Sequence, residues 1–353
     1  MAAGKLVLLL VALMATTTNL AAAAAASMEG RHEEWMAENG RTYEDAAEKA
    51  RRFEVFKANV ERIDRFNNAG GGNRTYSLGV NAFTDLTDEE FAARYTAAGY
   101  YYSNATSFEF GVAAHKLPGF MYENVSLSSE GGYTQGIDWR ERGAVTNVKS
   151  QGNCGCCWAF SAVAAMEGIN QITTNALVNL SAQQLLDCSS KDAGCNGGYF
   201  TEAFAYIGDG GGITTESAYP YQRAQGPCRF SAGEEGVATI RGYQEVPLNE
   251  AALAQAVAHQ PVSVAITAGG FRFKQYQNGV FMADHCDDDL HLNHEVTVVG
   301  YGVDDGDYWL IKNSWGTGWG EQGYMRLQKD QRACGIVGTS TRSIAPAYPV
   351  MAA

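Results

Sequence analysis

The chain begins with a short apolar run, Leu6 to Met14, behind a single Lys5 and ahead of an alanine-rich stretch ending near Ser27. This is the pattern of a secretory signal peptide over residues 1–26. The run is too short to span a bilayer, and no later stretch is long and uncharged enough to do so. Helix formers dominate from there to Asn67, where Gly70-Gly71-Gly72 breaks the pattern. A short strand follows at Thr75 to Val80, then an acidic helix start at Thr87-Asp88-Glu89-Glu90. Residues 97–135 lose periodicity and collect Gly, Ser, Tyr and Asn, which predicts an extended linker open to proteolysis. Further on, Ala159 to Ile172 and Ala182 to Leu186 read as helices, while Val262 to Ile266, Val296 to Val299, Tyr308 to Lys312 and Gly323 to Leu327 read as strands. The helix-like stretches thus lie ahead of the strand-like ones.

Cysteine usage divides the chain again. All eight cysteines lie between Cys154 and Cys334, and none between residues 27 and 132. In a secretory compartment most of them are expected to pair. The net charge of −13 argues against a nucleic-acid partner and suggests a protein that self-repulsion keeps soluble in an acidic compartment; a monomer is expected. Residues 151–161, Gln-Gly-Asn-Cys-Gly-Cys-Cys-Trp-Ala-Phe-Ser, place three cysteines between a turn and the start of an apolar helix. The positive end of a helix favours a thiolate, and its free amides can hold an oxyanion. By position alone Cys154, Cys156 and Cys157 are all candidate nucleophiles.

Glu48, Arg52, Phe56, Asn59, Ile63 and Asn67 fall on one face of a helix about 30 Å long. Their mixed chemistry is unlike a plain core face. Downstream, Gly79, Asn81, Phe83 and Asp85 alternate along a short segment. Together these positions match the ERFNIN and GNFD signatures of prosegments in the cathepsin L-like papain family, which the chain therefore resembles. The resemblance implies an inhibitory propeptide at 27–132 running backwards through the active-site cleft, and a mature peptidase domain at 133–353. That domain would have an α+β fold, with a helical lobe at about 137–245 and a β-barrel-like lobe at about 246–353, and the order of helix-like and strand-like stretches agrees with it. The proline that often follows the new N-terminus is missing, so cleavage is expected anywhere in 125–136.

By the same resemblance, Cys157, followed by Trp-Ala-Phe, is the nucleophile, His294 the acid/base, Asn313 the orienter of the imidazole with Trp315 shielding it, and Gln151 the oxyanion donor beside the Cys157 amide. Cys157 would attack the peptide carbonyl and His294 would protonate the leaving amine. Water would then hydrolyse the thioester, giving a cysteine endopeptidase. An ion pair with His294 would make the thiolate available well below the usual ~8.5. The implied disulfides are Cys154 with Cys195, Cys188 with Cys228 and Cys286 with Cys334. Cys156 stands where the family usually has Ser and is left as an extra thiol. No cofactor or metal is implied. The competing readings are a redox centre at Cys154-Gly-Cys156-Cys157, which lacks a thioredoxin context, and a zinc site from His285, Cys286, His291 and His294, which would remove the base.

Substrate contacts implied for the S2 subsite are Tyr199, Phe200, Ala265, Leu292, Glu295 and Thr339, with Gly197 and Gly198 leaving room for the substrate backbone. Most of these are apolar, so a hydrophobic P2 side chain is expected. Glu295 stands where relatives carry Ala or Gly. Its carboxylate could face solvent or a nearby base, or it could admit a basic P2 side chain or raise the pKa of His294. Sequons at Asn73, Asn104, Asn124 and Asn179 are candidate glycosylation sites. Expected partners are protein or peptide substrates, the chain's own propeptide and cystatin-type inhibitors, with no nucleic acid or membrane. The expected location is a lysosome-like vacuole or the extracellular space. A binding or storage protein that kept the fold and lost activity is the alternative, though such a protein would be expected to have lost a catalytic residue.

Overall fold

The computed structural model describes residues 27–69, 74–97, 115–125, 127, 136–231, 236–283, 286, 291–338 and 344–352. The expected signal peptide, Asn73, Asn104, His285 and Thr339 lie outside these residues, as does most of the expected cleavage window. The described residues form two compact bodies, one containing 27–69 together with 82–87, the other containing 74–81 and those from 88 onward.

The first body is built on two helices. α1, Met28–Glu38, is capped by Ser27, whose Oγ accepts from the Gly30 amide at 3.0 Å. α2, Ala46–Asn68, is capped by Asp45, whose carboxylate accepts from the Glu48 amide at 2.8 Å. Trp35, Phe56 and Val60 form the apolar seam. The polar residues on the α2 face bind the turn at 82–87. Asn59 Nδ2 donates to the carbonyls of Thr84 at 2.8 Å and Leu86 at 3.1 Å. Arg52 donates to Glu48 at 2.8 Å and to the Asp85 carbonyl at 3.1 Å. Asp85 in turn accepts from Arg41 at 3.1 Å and Tyr43 at 2.9 Å. The mixed face is thus a set of side-chain donors to an irregular backbone that could not otherwise be buried.

The second body starts with β1, Tyr76–Leu78, and α3, Asp88–Tyr95. After β2, Gly136–Asp138, come the helices α4, Cys157–Thr174, α5, Ala182–Cys188, and α6, Phe200–Asp209. The rest alternates β3, Ile240–Glu245; α7, Glu250–Val257; β4, Val262–Ile266; α8, Gly270–Lys274; and β5, Tyr276–Phe281. It closes with β6, His294–Gly302, β7, Tyr308–Lys312, β8, Tyr324–Gln328, and β9, Ala347–Met351. The strand order is β1-β5-β8-β7-β6-β4-β9-β3, with β2 also on β6. All pairs are antiparallel except β5 with β8.

α4 is buried on every side from Cys157 to Asn170, which is why it carries no amphipathic stripe. Gly168 lets it approach closely, since a Cβ there would sit 2.5 Å from a Pro261 side-chain carbon. The helix ends at Asn175 in the left-handed region, φ 59°. Pairing crosses the linear division expected near residue 245. β2 adds to β6 in the register Ile137 to Tyr301, and β3 pairs with the late β9, with Tyr243 opposite Pro349. The expected linker also differs from expectation, because residues 115–125 are seated on β3, with a parallel bridge from Lys116 to Tyr243.

Candidate active site

Cys157 is the first residue of α4, after Cys156 as the N-cap. The turn that delivers it is held by the Cys154–Cys195 disulfide and by a hydrogen bond from the Gly155 amide to the Cys195 carbonyl at 2.8 Å. Cys188–Cys228 and Cys286–Cys334 form the other two bridges. Cys156 and Cys157 are free thiols. With Cys154 and Cys286 in disulfides, neither the redox centre nor the zinc set retains its full complement of cysteines.

His294 opens β6, with Ile266 opposite it on β4. Its Nε2 lies 2.8 Å from Asn313 Oδ1, and its ring stacks on Trp315 at 4.6 Å and 24°. Nδ1 is buried with no hydrogen-bond partner. Asn313 follows β7, and its Oδ1 also accepts from the Ser314 amide at 2.7 Å, fixing the side-chain rotation. Gln151 is fully buried. Its Oε1 accepts from Ser314 Oγ at 2.6 Å, and its Nε2 donates to the Cys154 carbonyl at 2.9 Å and the Tyr95 carbonyl at 3.4 Å. Trp315 Nε1 donates to the same Tyr95 carbonyl at 3.3 Å. The Ala97 amide donates to the Asn293 carbonyl at 2.8 Å, and Ala97 packs with Cys157 and Tyr199. Residues 95–97 therefore cover the thiol and leave it no exposed surface.

That cover reverses the protonation expected from sequence. Burial pushes the Cys157 thiol up, the Glu295 carboxylate adds to the rise, and backbone hydrogen bonds from Glu295 and Trp158 oppose it. Burial lowers His294 to about 4, against an opposing contribution from the Asn313 hydrogen bond. Charges removed from water need compensation, and here the pair is more stable as neutral thiol and neutral imidazole.

Among the residues expected at S2, Phe200, Ala265 and Leu292 fall in one buried cluster, and Tyr199 packs with Cys157. Glu295 lies opposite Ala265 on β4 and is buried. Its carboxylate accepts from the Phe200 amide at 2.8 Å, at the first turn of α6, so it does not face solvent. Gly198 has a packing reason to be small, since a Cβ would meet Asp192 Oδ1 at 2.4 Å and the Trp158 ring at 2.7 Å. Asn124 and Asn179 are exposed.

Three residues near the site were not singled out from sequence. Ser314 bridges Asn313 and Gln151, and its place directly after Asn313 was the available signal. Asp192 accepts from the Tyr199 amide at 2.8 Å and from Ser189 Oγ at 2.5 Å. Burial raises its pKa to about 7. Tyr221 lies 3.0 Å from the Cys156 sulfur and donates to the Gln151 carbonyl at 2.7 Å, so the thiol is the donor in that contact. Burial takes the Cys156 pKa up to about 12. Nothing in the local sequence of Asp192 or Tyr221 distinguishes either from a surface residue.

A buried free thiol on the first residue of α4, and a buried histidine whose Nε2 is held by an amide oxygen under a tryptophan ring, are the groups that a cysteine hydrolase needs. The chain belongs to the papain family of cysteine proteases: the model for the papain family cysteine protease matches residues 133–344, and that for the cathepsin propeptide inhibitor domain (I29) matches residues 32–91. It is similar to the senescence-specific cysteine protease SAG12 of Arabidopsis thaliana, with 49% identity over 316 residues covering 88% of each chain. Cysteine endopeptidase Rep1 of Oryza sativa subsp. japonica is 50% identical over 312 residues, covering 86% of this chain and 79% of its own. Among solved structures, the proform of the Amb a 11 cysteine protease, a major ragweed pollen allergen, superposes with a TM-score of 0.78 at 38% identity, covering 92% of this chain and 95% of that one. The protein is thus a papain-like cysteine endopeptidase with an α+β fold, made as a zymogen with its own propeptide as intramolecular inhibitor.

Proposed function

We propose that Cys157 is the nucleophile of this endopeptidase and His294 its acid and base. The observation that carries the assignment is the division of labour on the imidazole. Asn313 Oδ1 can only accept, so Nε2 carries the proton, and in the neutral ring the buried, unpartnered Nδ1 is the basic nitrogen. Nδ1 takes the thiol proton as sulfur attacks the peptide carbonyl, and returns it to the leaving amine. Water then attacks the thioester, with His294 again as base. Gln151 Nε2 and the Cys157 amide stabilise the oxyanion. The Tyr95 carbonyl, already bound by Gln151 and Trp315, occupies a donor set suited to a substrate carbonyl.

Tyr199, Phe200, Ala265, Leu292 and Thr339 would form an apolar P2 pocket, with Glu295 engaged by the Phe200 amide. The domain plan supported best is a signal peptide at 1–26, a propeptide at 27–132 and a mature peptidase domain at 133–353, acting as a monomer. The location that suits this plan is a vacuole or the extracellular space, where cystatin-type inhibitors would be natural partners.

The test is acid incubation of the purified precursor with an active-site thiol titrant. Loss of the prosegment with stoichiometric labelling at Cys157, both abolished in Cys157→Ser, is the expected result. Labelling at Cys156, or hydrolysis that survives Cys157→Ser, overturns the assignment.

A further inference from the structure

Residues 115–125 bind the peptidase body through contacts that lie away from the thiol. Their main receptor is β3, which sits at the end of the strand order, separated from β6 and His294 by β4 and β9. Tyr243 pairs with the segment as a strand does: its amide donates to the His115 carbonyl at 3.0 Å and its carbonyl accepts from the Leu117 amide at 2.8 Å. The neighbouring Gly242 leaves the path open, because a Cβ there would lie 2.2 Å from the His115 carbonyl oxygen.

The next side chain, Gln244, is buried and reads the backbone of the segment from both of its polar ends. Its Nε2 donates to the Pro118 carbonyl at 2.8 Å and its Oε1 accepts from the Met121 amide at 3.1 Å. Tyr348 donates to the same Oε1 at 2.7 Å and fixes the orientation of the amide. Tyr122 then stacks on His259 at 4.5 Å and 20°, and donates to the buried Gln260 Oε1 at 3.0 Å. Charge adds direction at the other end, where Lys116 meets Glu245 at 2.6 Å and His115 meets Asp209 at 2.5 Å.

Buried amide side chains are costly without partners, so Gln244 and Gln260 are a preformed receptor for a main chain and a hydroxyl. The pattern is strand addition with a side-chain pocket, a general mode of peptide recognition. We propose that this face is a peptide-binding exosite, occupied in the precursor by residues 115–125 and able to bind the same segment as a separate peptide once the precursor has been cut. Its preferred ligand is a peptide that pairs as a strand at a basic residue and turns at a tyrosine six positions later, as at Lys116 and Tyr122. The inference rests on the zymogen reading, since the face is vacated only by processing.

The experiment uses acid-processed enzyme with its thiol blocked by iodoacetamide, titrated with a fluorescein-labelled peptide of residues 115–125. Saturable binding is expected, weakened about tenfold by Gln244→Ala in the enzyme or by Tyr122→Ala in the peptide. In unblocked enzyme, saturating peptide should leave hydrolysis of a dipeptide substrate unchanged. Non-saturable binding, affinity indifferent to the peptide substitution, or competitive inhibition of hydrolysis would each overturn the exosite. The peptide variant decides the matter if Gln244→Ala fails to fold. Pepsin supplies the cut form if acid alone leaves the precursor whole, so failure of catalysis and failure of peptide binding read out separately.

Discussion

The Glu295 carboxylate accepts a hydrogen bond from the Phe200 amide at 2.8 Å, joining the strand that begins with His294 to the first turn of α6. Tyr199, the N-cap of that helix, provides no side-chain cap, and the carboxylate from the distant strand takes its place. An anion at a helix N-terminus is well placed electrostatically, and it leaves no buried amide without a partner.

Glu295→Ala should therefore lower stability by about 1–2 kcal/mol, through the lost cap and the buried Phe200 amide left without that acceptor. It should also lower the Cys157 pKa, because the carboxylate is one cause of its elevation. Thermal melting of the precursor and the pH dependence of thiol alkylation check the two effects. With the carboxylate engaged by Phe200, a Phe-Arg substrate should be cleaved in preference to Arg-Arg. Preference for Arg-Arg, lost in the variant, would show instead that Glu295 reads a basic P2 side chain.

Asp192 gives the stability of the peptidase body a particular pH dependence. Its folded pKa of about 7 lies above the ordinary carboxylate value, so its contribution is complete below about 4 and disappears as pH rises through 7. A shift of that size corresponds to roughly 4 kcal/mol across the window. Asp192→Asn should flatten the change in Tm between pH 4 and 8, measured in a Cys157→Ser background to prevent self-cleavage. An unchanged slope would mean that the carboxyl titrates normally.

His294 acts with the opposite sign. Its folded pKa of about 4 is depressed, so the covered state is fully favoured above about 6.5 and loses stability as pH falls through 4, by roughly 3 kcal/mol. Acid should loosen the cover at residues 95–97, where the imidazole can charge once water reaches it. The hydrogen-exchange protection factor of the Ala97 amide in Cys157→Ser precursor should fall between pH 6.5 and 4, and His294→Gln should suppress that change. Equal loss of protection in both proteins would place the acid response elsewhere.

A buried ionic cluster stands behind the site on α4. Glu167 accepts from Thr146 Oγ at 2.6 Å, Lys149 at 2.7 Å and the Leu180 amide at 3.0 Å, and Lys312, which precedes Asn313, lies 3.9 Å away. Burial lowers Lys312 to about 8, with Glu167 opposing. Glu167→Ala should cost about 3–5 kcal/mol, because it leaves buried ammonium groups uncompensated. Denaturant unfolding of the precursor measures this, and a loss below 1 kcal/mol would show that solvent reaches the cluster readily.

Much of the α+β architecture was legible because its signals are local. The helical spacing placed Glu48, Arg52, Phe56, Asn59, Ile63 and Asn67 on one face of a helix, and of these the middle four are buried, while Glu48 is half-buried and Asn67 exposed. The β-branched run after His294 became a strand that starts at that residue. The seat of residues 115–125 is not legible in the sequence, because it comes from Gln244, Gln260 and His259, more than a hundred residues away, and no periodicity of the segment's own reports them.

By itself the sequence determined the papain-family membership, the helix that carries Cys157 and the elements that carry His294 and Asn313, since each depends on short-range pattern and motif. Only the tertiary structure decided the protonation of the covered pair, the capping of α6 by Glu295, the burial of the Cys156 thiol against Tyr221, and the seat of residues 115–125. These depend on which groups lose water together and which distant partner satisfies them, and burial is a property of packed elements that a linear pattern does not contain.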